Sequence, residues 1–287
     1  MRRGLLLAWL ACWICLAGCA ARAEIPLIDT SAACPFDEGT PLFEAFFLNL
    51  GLGNDGFLLR CGGETLLIDG GEAGCERAVE ALLAEQGLER LDMMLNTHGD
   101  ADHIDGAVRL LRDGYGVSVF LSPYRPDAAP STYDPLFPLL EEAGAAFVTV
   151  GHGDILALGD ARVFVYRDDD QAHGANARSL VLKVKYGERV LLLMADASGV
   201  GQRRLLEMLE PEDLRADVFK VAHHGITPSV PNFLNVVRPL AAVVTNGRDY
   251  VAETVRQLEY RAIDDYYTAE GTVYMATDGA SWWICQP

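Results

Sequence analysis

Seven residues, Thr97-His98-Gly99-Asp100-Ala101-Asp102-His103, hold four side chains whose nitrogen or oxygen atoms suit a divalent cation. A single Asp beside a His reads as a surface pair or a helix cap. Four such donors within six residues exceed what packing or capping needs, and burying that many charges without a cation would be costly. Residues 92–96 before the cluster read as a short apolar strand, and residues 104–111 after it as a helix. The cluster therefore sits at the carboxyl end of a strand, where ligands bind in α/β sheets. His98, Asp100 and Asp102 alternate along an extended segment and can turn to one side together. His103 joins them only if the chain turns into the helix.

Three other strand ends carry matching chemistry. The apolar run 65–68 ends in Asp69-Gly70-Gly71, the run 189–195 ends in Asp196, and the run 217–222 ends in His223-His224-Gly225. A carboxylate such as Asp196 can bridge two cations because each oxygen serves one ion. Adjacent side chains on a strand face opposite ways, so His223 and His224 cannot share one ion unless the chain turns. The loop over residues 167–179 holds His173 and Asn176, and His152 reads as a surface histidine in a turn. The Pro-rich residues 122–134 read as a lid or substrate loop, with Tyr124, Arg125 and Tyr133 as its contact candidates or as solvated loop residues.

These elements fit one domain. Met1-Arg2-Arg3 and the apolar run that follows are too short for a confident membrane span, and residues 1–23 read as a signal peptide. Leu16-Ala17-Gly18-Cys19 resembles a lipobox that would lipidate Cys19, Ala21-Arg22-Ala23 fits cleavage before Glu24, and an uncleaved anchor is the third alternative. Each places the folded part outside the cytoplasmic membrane, secreted or lipid-anchored. Residues 24–42 read as an extended lead-in and residues 43–287 as a single domain with a large core. No repeat, low-complexity tract or long linker interrupts it. The net charge is −18, and removing the leader takes away Arg2, Arg3 and Arg22 but no acid. Such a surface repels nucleic acid and anionic lipid in general. Beyond the leader, Cys34, Cys61, Cys75 and Cys285 permit disulfides in three connectivities or isolated thiols, and form no CxxC zinc pattern.

The HxDxDH motif resembles the second motif, HxHxDH, of the metallo-β-lactamase fold hydrolases. It is closest to the branch typified by the extracytoplasmic hydrolase domain of the competence DNA-uptake protein ComEC/Rec2, where HxDxDH is usual. The resemblance runs from about Phe43 to Gly279 with its motifs in family order. It implies an αββα sandwich of two mixed sheets with helices outside and metals at one edge. It implies two divalent cations, Zn or Mn: one held by Asp102, His103, Asp196 and His224, the other by His98, Asp100 and Asp196. Asp69 is implied as a support that holds the metal loops through hydrogen bonds. By resemblance His224 is the ligand and His223 acts on the substrate phosphate or leaving group, with the reverse also open. Asp102 and His223 are thus the catalytic candidates.

Two departures stand out. Asn176, in Asn-x-x-Ser-Leu-Val-Leu, occupies the place of a usual ligand histidine, with His173 three residues earlier as a substitute ligand or a loop residue. Arg248-Asp249-Tyr250 stands where the competence branch has an Asn-rich segment with a further His. The implied activity is a metal-dependent phosphodiesterase, nuclease-like, using a metal-bound hydroxide on a phosphodiester-containing substrate, DNA included. The alternatives are lactam, lactone or thioester hydrolysis on the same fold, or a binding module with a weakened metal site. No channel region accompanies the motifs, so transport is not expected.

Overall fold

The computed structural model describes residues 27–286, so the expected signal peptide and the lipobox at Cys19 lie outside the described residues. The first half runs β1 (Ile28–Asp29), β2 (Phe43–Phe47), β3 (Phe57–Cys61), β4 (Glu64–Ile68), α1 (Glu76–Glu85), β5 (Arg90–Leu95), α2 (Ala101–Arg112), β6 (Gly116–Ser122), α3 (Leu136–Ala143) and β7 (Ala146–Thr149). The second half runs β8 (Ile155–Leu158), β9 (Ala161–Tyr166), β10 (Val181–Tyr186), β11 (Arg189–Leu193), α4 (Val200–Met208), α5 (Pro211–Leu214), β12 (Val218–Lys220), α6 (Phe233–Val237), β13 (Ala241–Val244), α7 (Ala252–Tyr260), β14 (Asp264–Tyr267), β15 (Val273–Thr277) and β16 (Trp282–Cys285).

Side-chain alternation builds the layers. In β3, Phe57, Leu59 and Cys61 face the space between two sheets, while Leu58 faces the helices. Strands buried on both faces read as continuous apolar runs, as Leu66-Leu67-Ile68 and Leu191-Leu192-Leu193 do. The nine-stranded sheet has the order β1-β16-β15-β2-β3-β4-β5-β6-β7, and the seven-stranded sheet β14-β13-β12-β11-β10-β9-β8. Phe47, Phe57, Ile68, Leu182, Leu191 and Trp282 fill the core between them. Val79, Leu83, Ile104 and Leu110 of α1 and α2 cover the outside of the first sheet, and Leu205, Phe233 and Leu258 cover the second. Full burial of each such side chain contributes about 1.5–3 kcal/mol. The result is the four-layer αββα sandwich that the family resemblance implies.

Several local readings shift. The lead-in is partly tied down, because β1 pairs in parallel with β16 through Ile28↔Trp282. Helix α2 starts at Ala101, three residues earlier than the apolar periodicity indicates, because Asp100 already serves as its N-terminal flank. Tyr133 is fully buried among the residues packed outside the first sheet and is neither a solvated nor a substrate-facing loop residue. His152 is exposed. The four described cysteines are free. Cys61 and Cys75 belong to cores on opposite faces of the nine-stranded sheet, which rules out their mutual pairing.

Candidate metal centre

The site forms where parallel strands of both sheets end together. Asp69 follows β4, His98 lies just beyond β5, Asp196 beyond β11, His223 and His224 beyond β12, and Thr245 directly after β13. His98 and Asp100 come from the loop, Asp102 and His103 from the first turn of α2. Asp100 flanks the helix in an extended conformation but makes no side-chain capping bond; its carboxylate faces His98 Nε2 at 3.5 Å. Gly106 lets α2 sit this close, since a Cβ there would lie 1.9 Å from the Gly70 carbonyl oxygen.

The ligand atoms of Asp102, His103, Asp196 and His224 all lie within 4.8 Å of one another. Asp196 divides its carboxylate between two groups. Its Oδ1 stands 3.3 Å from His103 Nε2 and 3.4 Å from His224 Nε2, while Asp102 Oδ2 is 3.3 Å from His224 Nε2. Its Oδ2 faces His98 Nε2 at 3.7 Å and His223 Nε2 at 3.6 Å, and accepts a hydrogen bond from Asn176 Nδ2 at 3.1 Å.

The tautomers follow from the supports. A carboxylate only accepts, so His103 Nδ1 donates to Asp69 Oδ2 at 2.8 Å. His224 Nδ1 faces Asp55 Oδ1 at 3.1 Å and Thr245 Oγ1 at 3.0 Å, and Thr245 Oγ1 donates to that same Asp55 oxygen at 2.7 Å. His98 Nδ1 meets Thr97 Oγ1 at 3.2 Å, whose own proton goes to Asp69 Oδ2. Each imidazole so held turns an Nε2 lone pair toward Asp196. Among the described residues, Nε2 of His98, His103 and His224 and Oδ1 of Asp196 are buried without any hydrogen-bond partner. Such a set calls for positive charge at its centre, a proton on an imidazole or a metal ion between the groups, and its nitrogen and oxygen donors fit a divalent metal.

The charge count agrees. Among the described residues, Asp55, Asp69, Asp100, Asp102 and Asp196 surround the site with Lys220 as the one lysine or arginine paired with them, leaving four negative charges, which two divalent ions would balance. The field shows in the titration of the groups. Burial pushes Asp196 up, yet the close approach and charge of His103, then the charges of His224 and Lys220, hold it far below the usual carboxylate range. Burial pushes His103 down, but the charge of Asp69 and contacts with Asp196 and Asp55 raise it well above an ordinary imidazole. His224 is likewise raised, by Asp55 and Asp102 against burial. The cage draws positive charge in.

Backbone strain gathers at the same place. Of the seven non-glycine residues with positive φ among the described residues, four are Asp69, Ala195, His223 and His224. The two histidines, at φ 50° and 51°, corkscrew rather than alternate, so both face Asp196, where strand geometry predicts that only one can.

Asp69 also accepts from Asn96 Nδ2 (2.9 Å) and from the Thr97 backbone N–H (2.8 Å), fixing the ligand loop. Sequence reasoning missed Asp55 and Lys220, which form a fully buried ion pair beneath His224, with Lys220 Nζ also donating to the Ala195 carbonyl at 3.1 Å. A lone Lys in the apolar run Val218-Phe219-Lys220-Val221-Ala222 was a readable signal, whereas Asn54-Asp55-Gly56 looks like any turn. His173 is not gathered into the centre; it pairs with the buried Asp168.

A profile of the metallo-beta-lactamase superfamily matches residues 51–239. ComE operon protein 3 of Bacillus subtilis (strain 168) is 28% identical over 177 residues, which cover 61% of this chain and only 22% of that protein. Among solved structures, the metallo-beta-lactamase fold protein YhfI from Bacillus subtilis is similar at a TM-score of 0.60 and 12% identity, over 83% of this chain and 100% of that one. A diphosphatase of the PhnP family is similar at 0.52 and 14% identity, over 82% and 98%. A beta-hydroxylase is similar as well, at a TM-score of 0.53 and 17% identity over 82% of this chain and 53% of that one, so these likenesses establish fold and not chemistry. With its profile match, its two-sheet architecture and its Asp/His cluster, the chain belongs to the metallo-beta-lactamase superfamily of metal-dependent hydrolases.

Proposed function

We propose that this chain is a phosphodiesterase acting outside the cytoplasmic membrane, with residues 1–23 as its export signal. The observation that carries the reading is the unequal division of Asp196. Its Oδ1 side is a tight Asp/His cage, whereas its Oδ2 side is built with Asp100 and Asn176 and left open beside His223. Asp102, His103, Asp196 and His224 would hold one divalent ion, and His98, Asp100 and Asp196 a second. Zn and Mn both suit these nitrogen and oxygen donors. When bound, the ions would polarise a phosphoryl oxygen and lower the pKa of a coordinated water.

The chain's own residues do the rest. Asp69 and Asp55 fix the imidazole rings, so nothing must reorganise when the substrate arrives. His223, its side chain 31% exposed, can donate to a phosphoryl oxygen or protonate the departing one. Asp102, whose side chain is 37% exposed, reaches the same opening.

Lactone or thioester hydrolysis is the second reading, favoured by one feature. Leu52, Ile226 and Tyr250 are exposed on the loops beside His224 and Thr245 and could seat an acyl chain. Hydrolysis of an aryl phosphodiester, single-stranded DNA and an acyl lactone with Mn²⁺ or Zn²⁺, beside Asp102→Ala, tests both. Phosphodiester cleavage lost in the variant is expected; turnover of the lactone alone would overturn the first reading.

A further inference from the structure

Beside the open half of the centre lies a cavity of about 490 Å³ whose lining includes Tyr124, Arg125, Asp154, Arg167, Gln171 and Arg178. Its volume suits a nucleotide-sized group. Two features tie it to the site. Arg178 shares a single 3-10 turn with Asn176, whose amide reaches Asp196. Tyr124 of the lining has its hydroxyl beside the Gly99 backbone of the ligand loop, and Thr132, further along the same Pro-rich loop but outside the lining, donates its Oγ1 to the Gly99 carbonyl at 2.8 Å.

Some arginines of the chain, Arg189, Arg204, Arg248 and Arg256, pair with carboxylates, and others, such as Arg90 and Arg162, bond neutral oxygens. Among the described residues, Arg178 has no carboxylate partner. Its NH1 donates to the neutral Gln171 Oε1 at 2.6 Å, and its Nε is buried with no hydrogen-bond partner. Arg167, its side chain 11% exposed, donates to the carbonyls of Pro123 (2.7 Å) and Arg178 (3.1 Å) and has Asp169 at 3.6 Å. It also lies 5.6 Å from the centre of the Tyr124 ring. Asp154 is the one acid in the lining, and its carboxylate accepts from the Gly151 N–H at 2.8 Å. Arg125 is paired with Asp127 at the surface.

We infer that this cavity is an anion subsite that holds a second, non-cleaved phosphate of the substrate, with Arg178 as its principal contact and Arg167 as the strut that sets its wall. The inference rests on the phosphodiesterase reading and narrows it to substrates bearing at least two phosphates. A guanidinium fork matches phosphate oxygens, and the Tyr124 ring offers a face for an attached planar group. A general basic surface is not needed, because the arginines gather on the lining of one cavity joined to the centre by the turn that carries Asn176.

The test has two arms, both on the full chain. In the first, inorganic pyrophosphate is titrated calorimetrically into the metal-free protein. Arg178→Gln is expected to weaken binding about tenfold or more, since a charge-assisted hydrogen bond contributes about 1.5–3 kcal/mol. Arg178→Lys retains part of the affinity, and matching thermal melts show that both variants fold. Pyrophosphate binding that is absent, or unchanged in Arg178→Gln, overturns the subsite. In the second arm, kcat/KM is compared for a one-phosphate aryl diester and a 5′-phosphorylated dinucleotide. Arg178→Gln should shift the preference away from the dinucleotide about tenfold, chiefly through KM. An equal loss on both esters overturns the subsite while leaving phosphodiester cleavage standing. If neither ester is cleaved but Arg178-dependent pyrophosphate binding persists, the phosphodiesterase reading fails and the subsite stands as an anion site.

Discussion

Asp196 faces two unlike halves of one centre. On its Oδ1 side, His103 and His224 are fully buried and each is held from behind by a buried carboxylate, Asp69 or Asp55, which is itself bonded to Asn96 and Thr97 or to Lys220 and Thr245. On its Oδ2 side, His98 has only the Thr97 hydroxyl behind it, Asp100 has a side chain 45% exposed, and Asn176 supplies an amide in place of an imidazole. The imidazoles of the first half are bonded in place before any ion arrives, and the second has fewer supports and, at Asp100 and His223, is exposed toward substrate. Preorganisation and access are thus assigned to different sides of the same carboxylate.

The comparison breaks first at its hinge. Replacing Asp196 by Ala removes the shared ligand, so activity should fall by at least about a thousandfold, seen in the aryl phosphodiester assay. Both halves should lose metal together, seen by elemental analysis.

Beneath the rigid half, Asp55→Ala strands the Lys220 ammonium in the core and should lower unfolding stability by about 3–5 kcal/mol in a denaturant titration. The pH dependence has a definite sign. Burial pushes Asp55 up, but Lys220, His224 and His103 carry it well below the ordinary value near 3.8. A carboxyl whose folded pKa is depressed adds stability above the unfolded pKa and loses it as pH falls toward the folded one. The acid limb of the metal-free chain should therefore be shallower in Asp55→Ala than in the parent below about pH 4.

Asp69→Ala leaves the ligands in place but frees the His103 ring, and metal affinity should drop about 10–100-fold, measured by chelator competition. The smallest effect belongs to His173→Ala. Its partner is Asp168, outside the cage, so activity should change by less than about threefold, in keeping with loss of a partly exposed pair. A loss of one metal in that variant would bring His173 into the open half after all.

The layers and the ligand loop were legible because each rests on local pattern. Runs such as Leu191-Leu192-Leu193 announce strands buried on both faces, and an acid or histidine at the end of such a run marks the functional edge. What could not be read depends on tertiary placement. The left-handed turn at His223 and His224 overrides strand alternation, because burial around Gly225 and the Thr254 hydroxyl on its carbonyl fix the backbone there. Asp55 lies 165 residues from Lys220, and nothing in a turn-forming Asn-Asp-Gly announces a buried ion pair. Tyr133 sits in a Pro-rich loop of ordinary surface composition, yet its ring packs against Phe120 and Phe137 and its hydroxyl donates to Asn96.

Metal stoichiometry tests the two unequal halves most directly. Purified chain and Asp100→Ala, each dialysed against Zn²⁺ or Mn²⁺, are compared for ions bound per chain. The parent should hold about two and Asp100→Ala about one, with the remaining ion as tightly bound as before. A variant that still holds two, or that loses both, would contradict a division of labour across Asp196.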